Sequence, residues 1–230
     1  MKLLIFDIDG TLTHLDGSTH RAFARAFKES FDRELITEGL KLHGRTDPII
    51  FKECHARAGL NGDWLEAYEK FKPVYIHYLP EAISQNPRAR TKPGVPELLA
   101  ALHDRRDRCA LALGTGNGEA GARAKISFFN LDDYFPVGGF GDTHEERYLI
   151  MQDAMREAEQ YYQTEFDLQS VWIIGDTPFD IEGGQAIGAK TLAVATGGAY
   201  SYDDLIAAQP NVVMHDLSDT TAVLRALDLE

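Results

Sequence analysis

The sequence predicts an α/β protein: a parallel sheet flanked by helices, with a small all-helical insertion near its start. Three observations predict it. Short apolar runs bounded by turn residues recur along the 230-residue chain with helical patterns between them, as parallel βαβ units require. Polar residues that can carry chemistry stand just past those runs, where open parallel sheets hold ligands. Residues 14–90 show helical periodicity and no strand pattern.

Lys2–Phe6 reads as the first strand, with Asp7-Ile8-Asp9-Gly10-Thr11 at its C-terminal end. The insertion opens with a helix over Arg21–Phe31, capped by Ser18 or Thr19, whose Ala22, Phe23, Ala26, Phe27 and Phe31 share one face. A second helix is expected over Pro48–Ala58. A third starts at Asp63, where Glu66 three residues on completes a capping-box pattern. Its Trp64, Tyr68, Phe71, Tyr75 and Tyr78 form an aromatic stripe suited to a bundle core, and Pro73 should kink or break it. Asn86-Pro87 and Lys92-Pro93-Gly94 mark the return to the sheet. Beyond them come a helix over Pro96–Leu102 opened by its proline, and strands over Cys109–Leu113, Val171–Ile174 and Thr191–Ala195. Arg147–Tyr161 carries Leu149, Ile150, Ala154, Met155 and Ala158 at helical spacing. The expected division is a core of residues 1–13 and 91–230 with a helical unit of residues 14–90.

Charge narrows the function. Thirty-six acidic against 23 basic side chains give a net charge of −13, which excludes a nucleic-acid binder and docking on an anionic membrane. The excess is uneven: residues 14–90 net +1 and the remainder −14. The two cysteines, Cys54 and Cys109, lie in apolar patterns and suggest burial in a reducing, cytoplasmic setting. The apolar start meets Asp7 too soon for a signal peptide, and no apolar stretch approaches the roughly 20 residues of a membrane span. The eight histidines show no metal-ligand spacing, and no Gly-x-Ser-x-Gly elbow or Walker loop occurs. No feature of the sequence sets an oligomeric state.

Asp7 and Asp9 stand two residues apart just past a strand, with Gly10 free to turn the chain. Like charges held close are costly unless a cation sits between them. Asp176, in Gly175-Asp176-Thr177-Pro178-Phe179-Asp180, ends another strand and can close the same site. Three oxygen ligands, completed by waters and a substrate phosphate, describe a Mg²⁺ site.

These residues resemble the haloacid dehalogenase-like hydrolase superfamily over essentially the whole chain. The first motif matches Phe6-Asp7-Ile8-Asp9-Gly10-Thr11-Leu12, the second Leu113-Gly114-Thr115-Gly116-Asn117 and the fourth Gly175 to Asp180. The resemblance implies a Rossmann-like core whose site faces a mobile helical cap, the insertion of residues 14–90. It implies Asp7 as nucleophile forming an aspartyl-phosphate and Asp9 as general acid and base. Mg²⁺ would be held by the Asp7 side chain, the Asp9 main-chain carbonyl and Asp176, with Asp180 behind them orienting metal waters or a cationic residue. Thr115 would donate to a phosphate oxygen, with Gly10, Gly116 and Asn117 around the substrate and free N–H groups after Gly116-Asn117-Gly118 favouring an anion. The third motif departs from the family's usual lysine: residues 138–147 offer Arg147, with Lys125 as the alternative cation. In the cap, Gly44-Arg45-Thr46-Asp47-Pro48 resembles the specificity loop, where Arg45 would meet an anionic part of the substrate. A carboxylate at Asp9 favours phosphate esters, and the pattern resembles the phosphoglycolate-phosphatase-like branch. The expected activity is Mg²⁺-dependent hydrolysis of a small phosphorylated metabolite. A phosphomutase of β-phosphoglucomutase type shares these motifs, and a non-catalytic binding protein on the same fold is the alternative from another class.

Overall fold

A computed structural model of the chain describes residues 1–40, 42–142 and 144–230. Six strands make one parallel sheet: β1 (Lys2–Phe6), β4 (Cys109–Thr115), β5 (Gly138–Phe140), β6 (Val171–Gly175), β7 (Lys190–Val194) and β8 (Val212–Met214), in the order β5-β4-β1-β6-β7-β8. The chain starts in the middle of the sheet and returns to either side of β1, which makes the β4-β1-β6 edge a switch point of the topology. Side chains alternate across the sheet. Leu4 and Phe6 join the cluster containing Leu98, Leu99, Ile126 and Trp172, whereas Leu3 and Ile5 join the cluster of Met151, Ala154, Ala158 and Ile173. The helices α4 (Val95–His103), α5 (Glu119–Phe128) and α9 (Thr220–Ala226) serve the first face, and α6 (Arg147–Tyr162) the second. Two further helices, α7 (Pro178–Ala186) and α8 (Tyr202–Ala207), complete the α/β unit.

The insertion holds α1 (Ser18–Phe31), α2 (Asp47–Arg57) and α3 (Trp64–Ser84) around their own cluster of Phe23, Phe27, Phe51, Phe71, Tyr75, Leu79 and Ile83. It leaves and rejoins the sheet through an antiparallel pair of two-residue strands, β2 (Thr13–His14) and β3 (Arg90–Thr91). Cys54 and Cys109 are both buried and unpaired. No described helix is long and apolar enough to cross a membrane.

Several local expectations are corrected. Proline does not interrupt α3, which runs 21 residues through Pro73 and Pro80. Both prolines are exposed. The freed carbonyls therefore face water, and the buried seam on the opposite side holds the helix. That seam is Tyr68, Phe71, Tyr75, Leu79 and Ile83; Trp64 and Tyr78 lie half-buried at its margin. The cap of α1 is Gly17 at φ +78°, and Ser18 is the first helical residue, its hydroxyl donating to Leu15 O at 2.7 Å. Asp63 caps α3 through the Leu65 N–H, without a reciprocal bond from Glu66. Pro96 is the second rather than the first residue of its helix, behind Val95 and the cap residue Gly94.

Candidate active site

Register builds the site. Phe6 lies level with Leu113 of β4 and Ile174 of β6, so Asp7, Thr115 and Asp176 emerge on one rim. Asp7 continues β1, its N–H donating to Ile174 O at 2.9 Å. Gly10, at φ +95°, then turns the chain back, and a Cβ there would collide with the Asp176 carboxylate. The turn lets Thr11 Oγ1 donate to Asp176 Oδ1 at 3.0 Å.

Asp7, Asp176 and Asp180 are buried and each contributes a carboxylate oxygen to a group lying within 4.8 Å. Burial pushes Asp7 up to about 6, against the pull of Arg147 and with Asp180 and Asp9 adding to the rise. Burial and then its neighbours Asp7 and Asp180 hold Asp176 well above the usual carboxylate range. A cluster that resists its own ionisation in this way is chemically suited to a divalent cation. Arg147 opens α6 and offsets part of the charge. Its Nη2 donates to Asp7 Oδ1 at 2.9 Å and its Nε to Asp180 Oδ1 at 3.0 Å, with Nη2 also on Asp180. The other Asp180 oxygen accepts from Thr177 N (3.1 Å) and Oγ1 (2.8 Å), closing the capping box of α7.

Asp9, two residues from Asp7, turns elsewhere. Its Oδ2 accepts from Lys125 Nζ at 2.6 Å and Asn117 Nδ2 at 2.8 Å. Asn117 also donates to Thr115 Oγ1, from Nδ2 at 2.7 Å and from its backbone N at 3.4 Å. A hydroxyl that accepts twice keeps its own proton to donate. Thr115 and Asn117 both line the cavity described below.

The structure thus brings Asp7, Asp9, Thr115, Arg147, Asp176 and Asp180 together, but changes three expectations. The Asn117 side chain is committed to Asp9, Thr115 and Lys125 and has no donor left for a substrate. The N–H groups at the start of α5 are not free: Gly118 N donates to Asp47 Oδ2 at 3.0 Å and Glu119 N to Asp142 Oδ2 at 2.6 Å. The helix terminus does attract anions, and the protein's own carboxylates satisfy it. Arg45 donates to Glu53 Oε1 at 2.6 Å, so its charge is balanced within the insertion. Gly116 is packed beneath that segment, its carbonyl accepting from Asp47 N at 2.9 Å. Thr143, within the expected third-motif segment, lies outside the described residues.

Two residues escaped the sequence reading. Asp47, the first residue of α2, reaches across to the loop after β4, and burial raises its carboxyl to about 6 against the pull of Lys125 and the Gly118 N–H. Lys92 is buried beside the site with its ammonium on Thr196 O; burial pushes its pKa down while Asp176 opposes. The only signals were an Asp-Pro helix start and a lysine placed before Pro-Gly, and neither names a distant partner. A cavity of about 350 Å³ lies between rim and insertion. Asp7, Asp9, Lys92 and Arg147 line one side, and Phe23, Arg45 and Ile50 the other.

Comparison with known proteins adds to this geometry. The family model for haloacid dehalogenase-like hydrolases matches residues 1–188. A phosphoglycolate phosphatase of Aquifex aeolicus (strain VF5) is 25% identical over 201 residues, covering 86% of each chain. Among solved structures, CbbY from Rhodobacter sphaeroides in complex with phosphate superposes with a TM-score of 0.74 at 18% identity, covering 100% of both chains. A hydrolase from Pseudomonas syringae gives 0.66 at 19% identity over 98% of each. At such identities the structural likeness is one of fold.

Proposed function

The chain belongs to the haloacid dehalogenase-like hydrolase family, and on that premise we propose that it is a Mg²⁺-dependent phosphomonoesterase acting on a small phosphorylated metabolite through an aspartyl-phosphate. One observation carries the reading. Two carboxylates two residues apart occupy opposite environments: Asp7 lies in the acidic cluster against Arg147, and Asp9 is turned to Lys125 and Asn117. Pairs of titratable groups set in different surroundings divide nucleophilic and acid–base work.

In this reading an Asp7 oxygen bonds to phosphorus as the ester P–O bond breaks, and Asp9 gives its proton to the departing alcohol. A water then gives a proton to Asp9 and attacks the phosphorus, releasing phosphate and restoring the Asp7 carboxylate. Arg147 offsets charge on Asp7 and the transferring phosphoryl group, held in place by Asp180. Thr115 donates its hydroxyl to a phosphoryl oxygen. The side chains of Asp7 and Asp176, with the main-chain carbonyl of Asp9, would hold Mg²⁺, which supplies neutralisation of the phosphoryl oxygens when bound. Residues 14–90 act as a cap over a core of residues 1–13 and 91–230, supported by the cap's separate hydrophobic cluster and the β2–β3 crossing. Arg45, on the cavity wall, meets an anionic part of the substrate while shared with Glu53. Two buried unpaired cysteines support a cytoplasmic setting.

The test is turnover of an aryl phosphate and a panel of phosphorylated metabolites with and without Mg²⁺, in the wild type and in Asp7→Asn. Activity should require Mg²⁺ and fall by about 1,000-fold or more in the variant. Undiminished turnover in Asp7→Asn sinks the mechanism. Transfer to a second sugar phosphate rather than to water identifies a phosphomutase, and inactivity on every ester identifies a binding protein.

A further inference from the structure

Lys125 is 1% exposed on its side chain, yet it does not touch the nucleophile; Arg147 does. A lysine buried this deeply is retained where something pairs it. Its ammonium is engaged by Asp9 Oδ2 at 2.6 Å and by Asn117 Oδ1, while Asn117 Nδ2 donates to the same Asp9 Oδ2 at 2.8 Å. The three side chains form a closed triangle, which also fixes which way the Asn117 amide faces. Two donors on Oδ2 occupy the sites a proton would need there. Among the described residues no donor reaches Oδ1. Asp9 and Lys125 both line the cavity, but the Asp9 side chain is 41% exposed and that of Lys125 only 1%.

We propose that Lys125 is the positioning residue of the acid–base step: with Asn117 it pins the Asp9 carboxylate by Oδ2 and leaves Oδ1 as the atom that carries the proton. In the first step the Oδ1–H proton goes to the oxygen of the departing alcohol as its bond to phosphorus breaks. In the second, Oδ1 takes a proton from the water that attacks the aspartyl-phosphate. Without the pin the carboxylate rotates about its side chain, and neither oxygen is held at the leaving group. The sequence offered Lys125 as an alternative partner of Asp7; the geometry points to Asp9 instead. This inference rests on the acid–base reading of Asp9 given above.

The experiment reads kcat/KM, which reports the steps through first phosphoryl transfer, with Mg²⁺ present. The substrates are phosphate monoesters whose leaving alcohols run from p-nitrophenol to simple alkyl alcohols. A misplaced general acid harms poor leaving groups most. Lys125→Met should lower kcat/KM about 100-fold on alkyl esters and less than about fivefold on p-nitrophenyl phosphate, steepening the dependence on leaving-group basicity. Asp9→Asn should steepen it further. An equal loss across the series means that Lys125 only holds the fold together and overturns the proposal, as does no loss at all. If Lys125→Met fails to fold by circular dichroism, Asn117→Ala decides, since it keeps the lysine and removes the second donor. That variant should show the same leaving-group-dependent loss at smaller size, and a uniform loss overturns the pin. A wild type inactive on every ester brings down the phosphomonoesterase reading and this proposal together. An active wild type with uniform losses in the variants overturns this proposal alone.

Discussion

Arg147 does a job that depends on its shape as well as its charge. One guanidinium faces Asp7 at 2.9 Å and Asp180 at 3.0 Å, and the planar fork fits both at once. A lysine ammonium is a point charge on a flexible stem and would serve one carboxylate at a time. Arg147→Lys should therefore fold normally and lose about 10- to 100-fold in kcat with a smaller change in KM, measured on any ester the wild type turns over. Arg147→Met is a harsher change. It leaves a buried acidic cluster without its cation, so urea unfolding of the metal-free protein at neutral pH should show a loss of about 3 kcal/mol. Much of this was legible from the residues alone. Asp7, Asp9, Thr115 and Asp176 meet because their positions follow strand ends, and strand ends are visible in hydrophobic runs. Arg147 joins them from the first residue of α6, the start of a legible helical pattern. Side-chain pairing across the chain was not visible. Arg45 with Glu53, Asn117 with Asp9 and Lys92 with Thr196 depend on loop paths and rotamers that no periodicity encodes.

At the scale of elements, the start of α2 is a clasp between the insertion and the sheet. Asp47 N donates to Gly116 O at 2.9 Å, and its carboxylate accepts from Gly118 N at 3.0 Å. Burial raises that carboxyl from 3.8 to about 6, opposed by Lys125 and the Gly118 N–H and supported by Asp9 and Asp142. A folded-state pKa above the unfolded value means that the folded chain holds the proton more tightly. The contribution is fully present below about pH 4 and is lost as pH rises through about 6. Asp47→Asn keeps an acceptor for Gly118 and removes the titration. It should match the wild type near pH 4 and exceed it above pH 7 by up to about 3 kcal/mol in urea unfolding, the equivalent of about two pKa units. A second element carries its own test. Exposed Pro73 interrupts the hydrogen-bond ladder of α3 without bending its buried seam out of place. Pro73→Ala should raise stability by about 1–2 kcal/mol, the helix gain less the added freedom of the unfolded chain. The same helix shows why the reading of elements ran out where it did. Proline is a strong local breaker, but a seam running from Tyr68 to Ile83 outweighs it, and such tertiary packing is invisible in a local window. Likewise β5 and β8 have three residues each, and β2 and β3 two, too short to show a period.

Across the whole molecule, the net charge of −13 sits almost entirely in the unit that holds the acidic cluster, since residues 14–90 net +1. An anionic substrate approaching that unit meets an unfavourable field, and inside the site Arg147 supplies one positive charge against Asp7, Asp176 and Asp180. The imbalance makes divalent-cation binding measurable apart from catalysis. A cation that binds the folded chain and not the unfolded one stabilises by about 2.7 kcal/mol at 100 times its Kd. For a chain of this size that is a rise in Tm of roughly 5–10 °C. The rise must depend on pH. Protons and the cation compete for the same carboxylates; burial pushes Asp7 up to about 6 and holds Asp176 well above the usual carboxylate range. Mg²⁺ should therefore shift Tm only slightly at pH 5 and increasingly up to pH 8, as each ligand loses its proton more readily. NaCl at matched ionic strength should not reproduce the shift, because screening acts on exposed charges and these three are buried. Asp176→Asn removes one of the proposed ligands and should abolish most of the gain at pH 8 while leaving the chain folded, since the amide relieves the repulsion within the cluster. A Tm at pH 8 that does not respond to Mg²⁺ would show that Arg147 alone balances the cluster, and that the acidity of this unit serves no metal.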